Sequence, residues 1–295
     1  MKIAIITPQS INVESWGPQL EKRGYEVLIN DVTEDCDFIL CASHSQILTL
    51  VHYHRKHPHI PIINYNWDFY GWAFDNPRGY NWNLYGEYLE KSLEIWAPSD
   101  AVTKRTNEFY PGIEDKCVTI KTYGLFFDVE DIKNGGYIYN PIRDAYQSDP
   151  NYGMIDKVCA ELNIPLFDRK SSHGNNAFLP REEYKNKIAH CSFMVCELNE
   201  MSTGGLALLE AYRLGKPVLI SDSSYEGAYD YFGDRAYYFK DGDYEDFKSK
   251  VIDLWANPPK LDKEDCRKYV DDNFNIDVMI GAMATRLEYL KGSNE

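Results

Sequence analysis

Residues 196–222, CELNEMSTGGLALLEAYRLGKPVLISD, hold the pattern that decides the fold. Ser192 to Val195, just ahead of them, read as a short buried strand. Ser202 to Gly205 form a loop of small residues, and Leu206 to Leu214 have helical periodicity. Gly215 ends that helix, and Pro217 separates it from the next strand, Val218-Leu219-Ile220. Strand, loop and helix in that order aim a helix N-terminus at the carboxyl edge of a sheet, where open α/β sheets bind ligands. The free amides of a first helical turn favour a phosphate or carboxylate, and Gly204 and Gly205 leave them uncrowded. Two glycines also serve a tight turn or close packing, so the loop alone leaves both readings open.

Working outward, 295 residues of which 44% are apolar are enough for two ordinary cores. No stretch is long and apolar enough to span a bilayer, and Met1 to Ile6 run straight into a strand pattern rather than a signal peptide, so a cytoplasmic protein is expected. Seven cysteines, an odd number without a Cys-x-x-Cys pair, indicate neither a disulfide framework nor a zinc cluster. A formal charge of −15 disfavours non-specific attraction to nucleic acid or an anionic membrane. The 23 tyrosines exceed what a core of this size needs and leave rings to stack on sugars or bases.

Strands and helices alternate from the start. Strands are read at Lys2 to Thr7, Glu26 to Asn30, Asp37 to Ala42, Ile60 to Tyr65, Ile95 to Ala97 and Val118 to Thr122. Helices are read at Val13 to Arg23, Gln46 to Arg55 and Ala101 to Phe109, with another ending near Ser92. Continuous apolar strands of this kind are covered by helices on both faces. An aromatic segment, Trp67 to Tyr88, follows the fourth strand and either overhangs the ligand edge or packs onto the domain. Gly135-Gly136 marks a linker, after which the alternation restarts: strand Tyr137 to Asn140, helix Met154 to Leu162, strand Ile164 to Phe167 and helix Arg181 to His190.

The run from Cys196 to Asp222 resembles the signature of family four (group 1) nucleotide-sugar glycosyltransferases of the GT-B fold, which carries a Glu, a glycine-containing loop and a second Glu eight positions after the first. Glu210 matches the second Glu, and Ser202 stands where the family has the first. Leu179 to Tyr184, Gly233 to Phe239, Asp241-Gly242-Asp243, the helix Tyr244 to Trp255 and the tail from Asn273 are similar to the family too, as is Tyr123 to Asp128, which is like its Pro-Asn-Gly-Val-Asp turn. The resemblance implies an α/β architecture with two Rossmann-like domains facing each other across a cleft. Residues 1–130 would be the acceptor domain, 131–275 the nucleotide-sugar domain, and 276–295 a last helix returning to the first domain.

The same resemblance assigns roles. Glu210 would hold the ribose hydroxyls of the donor, while the amides of Ser202, Thr203, Gly204 and Gly205 hold its diphosphate. Read from the residues alone, Glu210 equally makes an i, i+3 pair with Arg213. The family has an Arg and a Lys after the first strand of the second domain; Arg143 fits, no Lys follows at that spacing, and Arg169 and Lys170 stand after the next strand to supply the charge. Glu197 and Glu200 are near enough in sequence to replace the missing Glu at the sugar. His44, at the end of the third strand, is placed like the catalytic-site His of the family, or else it only neighbours a helix start. Asp68 falls where the family has His-Asp, with Trp67 in place of that His; Trp67, Asp68 and Trp72 form the expected acceptor side. His52, His54, His57 and His59 read as a solvated helix terminus rather than a metal site.

The expected function is transfer of a sugar from a nucleoside-diphosphate donor to a hydroxyl acceptor, with retention of configuration implied by the resemblance and no metal or other cofactor. A glycan, a small molecule and a hydroxymethylated DNA base all remain open as acceptors. A non-catalytic nucleotide-sugar or sugar-phosphate binding protein of the same fold is the alternative, and a dinucleotide oxidoreductase is disfavoured because no Gly-x-Gly-x-x-Gly follows the first strand.

Overall fold

A computed structural model describes residues 1–8, 15–67, 81–110, 112–124, 126–129, 132, 135–141, 149–168, 180–197, 205–222 and 225–294. The chain divides into two compact units. One comprises Met1–Tyr123 with Ile276–Glu295, the other Gly124–Asn275.

The first unit is built on six parallel strands, β1 (Lys2–Ile6), β2 (Glu26–Ile29), β3 (Phe38–Cys41), β4 (Ile62–Tyr65), β5 (Glu94–Ala97) and β6 (Cys117–Thr119), in the order β2-β1-β3-β4-β5-β6. Its helices are α1 (Trp16–Glu21), α2 (Ile47–Lys56), α3 (Trp82–Lys91) and α4 (Asp100–Phe109). Local chemistry starts α3 and α4: the side chains of Asn81 and Ser99 accept from the amides of Leu84 and Val102. All four residues of each of β3, β4 and β5 are buried, as helices on both faces require.

The second unit repeats the plan with five parallel strands, β7 (Ile138–Asn140), β8 (Leu166–Asp168), β9 (Phe193–Cys196), β10 (Val218–Ser221) and β11 (Tyr237–Phe239), in the order β11-β10-β9-β7-β8. Strand β8 begins two residues later than the sequence pattern indicates, because the helix before it ends on Asn163 in a left-handed conformation and Pro165 has no N–H for the ladder. The helices are α5 (Met154–Leu162), α6 (Arg181–His190), α7 (Leu206–Arg213), α8 (Tyr225–Phe232), α9 (Tyr244–Ala256) and α10 (Lys263–Phe274). Strand side chains alternate between two cores: Met194, Cys196, Val218 and Ile220 join α7 and α10 on one face, and Phe193, Val195 and Leu219 join α5 and α9 on the other.

The last helix, α11 (Ile276–Asn294), belongs to the first unit. Met279, Ile280, Met283, Leu287 and Leu290 form its buried stripe. Arg286 forms a bidentate pair with Glu94 of β5, Lys291 meets Asp37 at 3.2 Å, and the Tyr25 hydroxyl donates to Glu288 at 3.0 Å.

Candidate functional site

Topology singles out one edge of each sheet. In the second unit the chain leaves β7 to one side for β8 and returns to the other side for β9, so the strand order reverses between β7 and β9. A ligand crevice in an open α/β sheet lies outside the carboxyl ends of the strands at such a point. The segment after β7 contains Arg143, and the segment between β9 and α7 contains Ser202, Thr203 and Gly204; these four residues, with Arg169, Lys170 and Glu200, lie outside the described residues.

What is described around that edge is closely specified. Glu197, directly after β9, is fully buried and accepts from the backbone amides of Gly153 at 3.0 Å and Ile155 at 2.8 Å. It caps the start of α5 with both oxygens and is therefore not available to replace the missing sugar-binding Glu. Behind it a second polar network fixes the edge: Asn151 donates to Asp241 at 2.6 Å, Ser221 donates to the same oxygen at 3.2 Å, and the Gly242 amide donates to Asn151 at 3.2 Å.

Gly205 immediately precedes α7 with φ +55°, in the region that side chains make unfavourable, although among the described residues nothing lies within 4 Å of where a Cβ would stand. Helix α7 starts with no side-chain cap and no acidic residue in its first turn. No side chain among the described residues takes its first amides, and the Leu208 amide meets the Gly205 carbonyl at 3.2 Å.

Glu210 lies on α7 and is half-buried, and the Tyr184 hydroxyl of α6 donates to its Oε2. Burial pushes the carboxyl up to about 7, against the Tyr184 hydrogen bond and the Arg181 charge, which lower it. Arg213 has other partners than Glu210. Its guanidinium meets Asp271 of α10 at 2.6 and 3.1 Å, and donates to the Phe127 carbonyl and Asp128 at 3.0 Å each. Those bonds bind the start of the second unit to α7, and the Asp128 carboxyl is held below its ordinary range chiefly by Arg213. Tyr184 closes the helix entry Leu179 to Tyr184, and nothing in a linear pattern assigns it to Glu210, 26 residues away.

In the first unit the order reverses between β1 and β3. His44 follows β3 in a short 3-10 turn, where the Ser43 hydroxyl accepts from the Ser45 amide. Its ring stacks on Trp82 at 5.2 Å and meets Tyr85 edge-on at 6.3 Å. Burial among these rings lowers the imidazole to about 4, so it is neutral at physiological pH. Trp67 donates its indole N–H to the Ala42 carbonyl at 2.7 Å, and its half-buried ring stacks on Trp16 at 5.9 Å and meets Tyr65 edge-on at 4.7 Å. Trp82, Tyr85 and Tyr88 are likewise buried, so the described rings of the aromatic segment pack onto the domain. Asp68 and Trp72 lie outside the described residues.

His57 and His59 approach the two oxygens of Glu34 at 3.3 and 3.5 Å. Among the described residues no group of three or more His, Cys, Asp or Glu side chains is arranged to hold a metal ion. All seven cysteines are unpaired, and burial pushes the Cys41, Cys159 and Cys191 thiols up to about 12. No described helix is long and apolar enough to cross a membrane.

Solved structures share this arrangement along the whole chain. Sucrose-phosphate synthase from Thermosynechococcus elongatus superposes with a TM-score of 0.71 at 13% identity, covering 99% of this chain and 100% of that one. HepE from Anabaena, in complex with UDP and glucose, gives 0.67 at 12%, covering 98% and 99%. A glycosyltransferase from Rickettsia africae gives 0.63 at 12%, covering 98% of each. The chain has the GT-B fold. No protein-family model matches the sequence, and no curated protein matches it.

Proposed function

We propose that the protein transfers a sugar from a nucleoside-diphosphate donor, held by the second unit, to a hydroxyl acceptor. One observation carries this reading: Glu210 is a half-buried carboxylate on the helix that follows β9, one of the two strands between which the order reverses, bound by Tyr184 and unclaimed by Arg213, and no described side chain caps the start of that helix. A ribose supplies hydroxyl donors to the carboxylate oxygen that Tyr184 leaves open, and a diphosphate suits the helix start. The HepE structure, with UDP and glucose bound on the same fold, supports a nucleotide-sugar as the donor.

In this reading Ser202, Thr203, Gly204 and Gly205 hold the diphosphate through backbone amides, and Arg143, Arg169 and Lys170 neutralise it without a metal. The bond from the sugar's anomeric carbon to the diphosphate oxygen breaks, and its electron pair leaves with the diphosphate. The acceptor oxygen bonds to that carbon, and its proton passes to the departing diphosphate oxygen. His44, neutral and stacked on Trp82, serves as a hydrogen-bond partner for a hydroxyl beside the reacting centre. Trp67, Asp68 and Trp72 form the acceptor side, and a net charge of −15 favours a glycan or small molecule over DNA. Retention of configuration follows from the family resemblance.

Ser202 in place of a Glu, and Arg143 without its Lys, favour a second reading in which the protein binds nucleotide-sugars without turning them over. A panel of UDP-, GDP- and ADP-sugars separates the two by nucleoside diphosphate release, measured with and without acceptors. Glu210→Gln is expected to weaken donor binding about 10- to 100-fold, the worth of a charge-assisted hydrogen bond. Binding without release rejects the enzyme, and an unchanged affinity in the variant rejects the site.

A further inference from the structure

Tyr184 ends the helix entry Leu179 to Tyr184 and lies outside the run 196–222, yet the fold brings its hydroxyl to Glu210 and packs its ring. It stands in the first turn of α6, and its ring meets Phe127 edge-on at 6.2 Å. The Phe127 carbonyl is held by Arg213 Nη1 at 3.0 Å, and Arg213 lies one turn beyond Glu210 on α7, clamped in turn by Asp271. The backbone under the Phe127 ring is thus pinned to α7, the helix that carries Glu210. A glutamate on a helix surface samples many rotamers, and ordering it at the moment of binding opposes affinity.

Resting on the reading of Glu210 as the ribose-binding carboxylate, we propose that Tyr184 is its positioning residue. The tyrosine occupies Oε2, fixes the carboxylate plane and leaves Oε1 to the ribose, so that the donor meets a preorganised acceptor. The hydrogen bond also stabilises the ionised carboxylate against the burial that raises its pKa. The ionisable groups acting on Glu210 are Tyr184 and Arg181 of α6. On its own helix Arg213 is engaged by Asp271 of α10 and by Asp128. Without the tyrosine hydroxyl the carboxyl keeps its proton to higher pH, and a protonated Glu has lost acceptor capacity for ribose.

The test compares full-length wild type with Tyr184→Phe, which keeps the ring against Phe127 and removes only the hydroxyl. Carbon-13 NMR of the glutamate carboxyls, with the Glu210 signal identified by its loss in Glu210→Gln, should show the midpoint rising by about one pH unit in the variant. Calorimetric titration with UDP, GDP and ADP between pH 6 and 9 should find the best ligand bound at least about fivefold more weakly at pH 7 by the variant, the ionisation effect alone, with the gap narrowing by pH 9 to the part that lost preorganisation leaves. The ratio of the two constants cancels the ligand's own phosphate ionisation. If the wild type binds, an unmoved midpoint or a loss equal at every pH overturns the positioning role alone. If the wild type binds none of the three, the donor reading fails and the proposal fails with it.

Discussion

Two titratable side chains carry most of what can be tested at the residue scale, and burial moves them in opposite directions. Glu210 is harder to ionise in the folded chain, with a pKa of about 7 against 4.5, so the folded state holds the extra proton between those values. Its contribution to stability therefore falls as pH rises through that window, by about 1.4 kcal/mol per unit at most. His44 is harder to protonate when folded, at about 4 against 6.5, so the unfolded chain binds the extra proton and stability rises with pH up to about 6.5. Thermal unfolding at half-unit steps from pH 4.5 to 8 should show the two slopes separately. The difference between wild type and Glu210→Gln should decline up to pH 7 and then level; that between wild type and His44→Gln should climb up to pH 6.5 and then level. A flat difference for either variant would show that its side chain is not buried as described. The places of Glu210 and His44 in the fold were legible because each sits at a fixed offset from a strand or glycine loop. Tyr184 was not legible, since its meeting with Glu210 depends on how α6 packs against α7.

At the scale of elements, strands were easier to read than the helices that cover them. Continuous apolar runs such as Phe38–Cys41 and Val218–Ser221 admit few alternatives when both faces are buried. Helices α8 and α10 were not read from the pattern. In α10 only Cys266, Val270 and Phe274 are buried among twelve residues, a stripe four residues apart that charged neighbours obscure, although Asp262 caps it by accepting from the Glu264 and Asp265 amides. The aromatic segment was ambiguous for another reason: a ring's sequence position does not say which face it finds, and Trp82 and Tyr85 prove to be the walls around His44. The docking of α11 is specified more sharply. Glu94 is 3% exposed and accepts from the Trp96 indole at 2.7 Å as well as from Arg286. Replacing Arg286 by Ala strands that carboxylate in the core, and should destabilise the protein by about 3 kcal/mol, the low end for a buried pair because Arg286 is itself 32% exposed. Glu94→Gln combined with Arg286→Met should recover most of that loss in urea unfolding. A double variant as unstable as Arg286→Ala would mean that lost packing, not the stranded charge, is responsible.

For the whole molecule, the informative regularity is that one plan occurs twice: a parallel sheet whose first strand lies inside, whose second lies to one side and whose later strands extend to the other. Repetition of strand-helix alternation on either side of Gly135-Gly136 made that plan readable, because periodicity survives even where identity with known proteins is 12 or 13%. The order in which strands pair was not readable, since local sequence does not encode neighbours across a sheet. The chain also closes on itself in an unequal way, because α11 at the end of the sequence completes the first unit and not the second. Met279, Ile280, Met283 and Leu287 are each at most 1% exposed on it, so the core of the first unit depends on the last 20 residues of the chain. Met283→Ala should remove about 2–4 kcal/mol from that core. If the two units are separate cooperative blocks, hydrogen exchange in the full-length variant will accelerate in β1 to β6 and in α11, while β7 to β11 keep wild-type protection. Equal acceleration in both sheets would show instead that the chain unfolds as a single block, and donor binding by the second unit would then depend on a helix it does not contain.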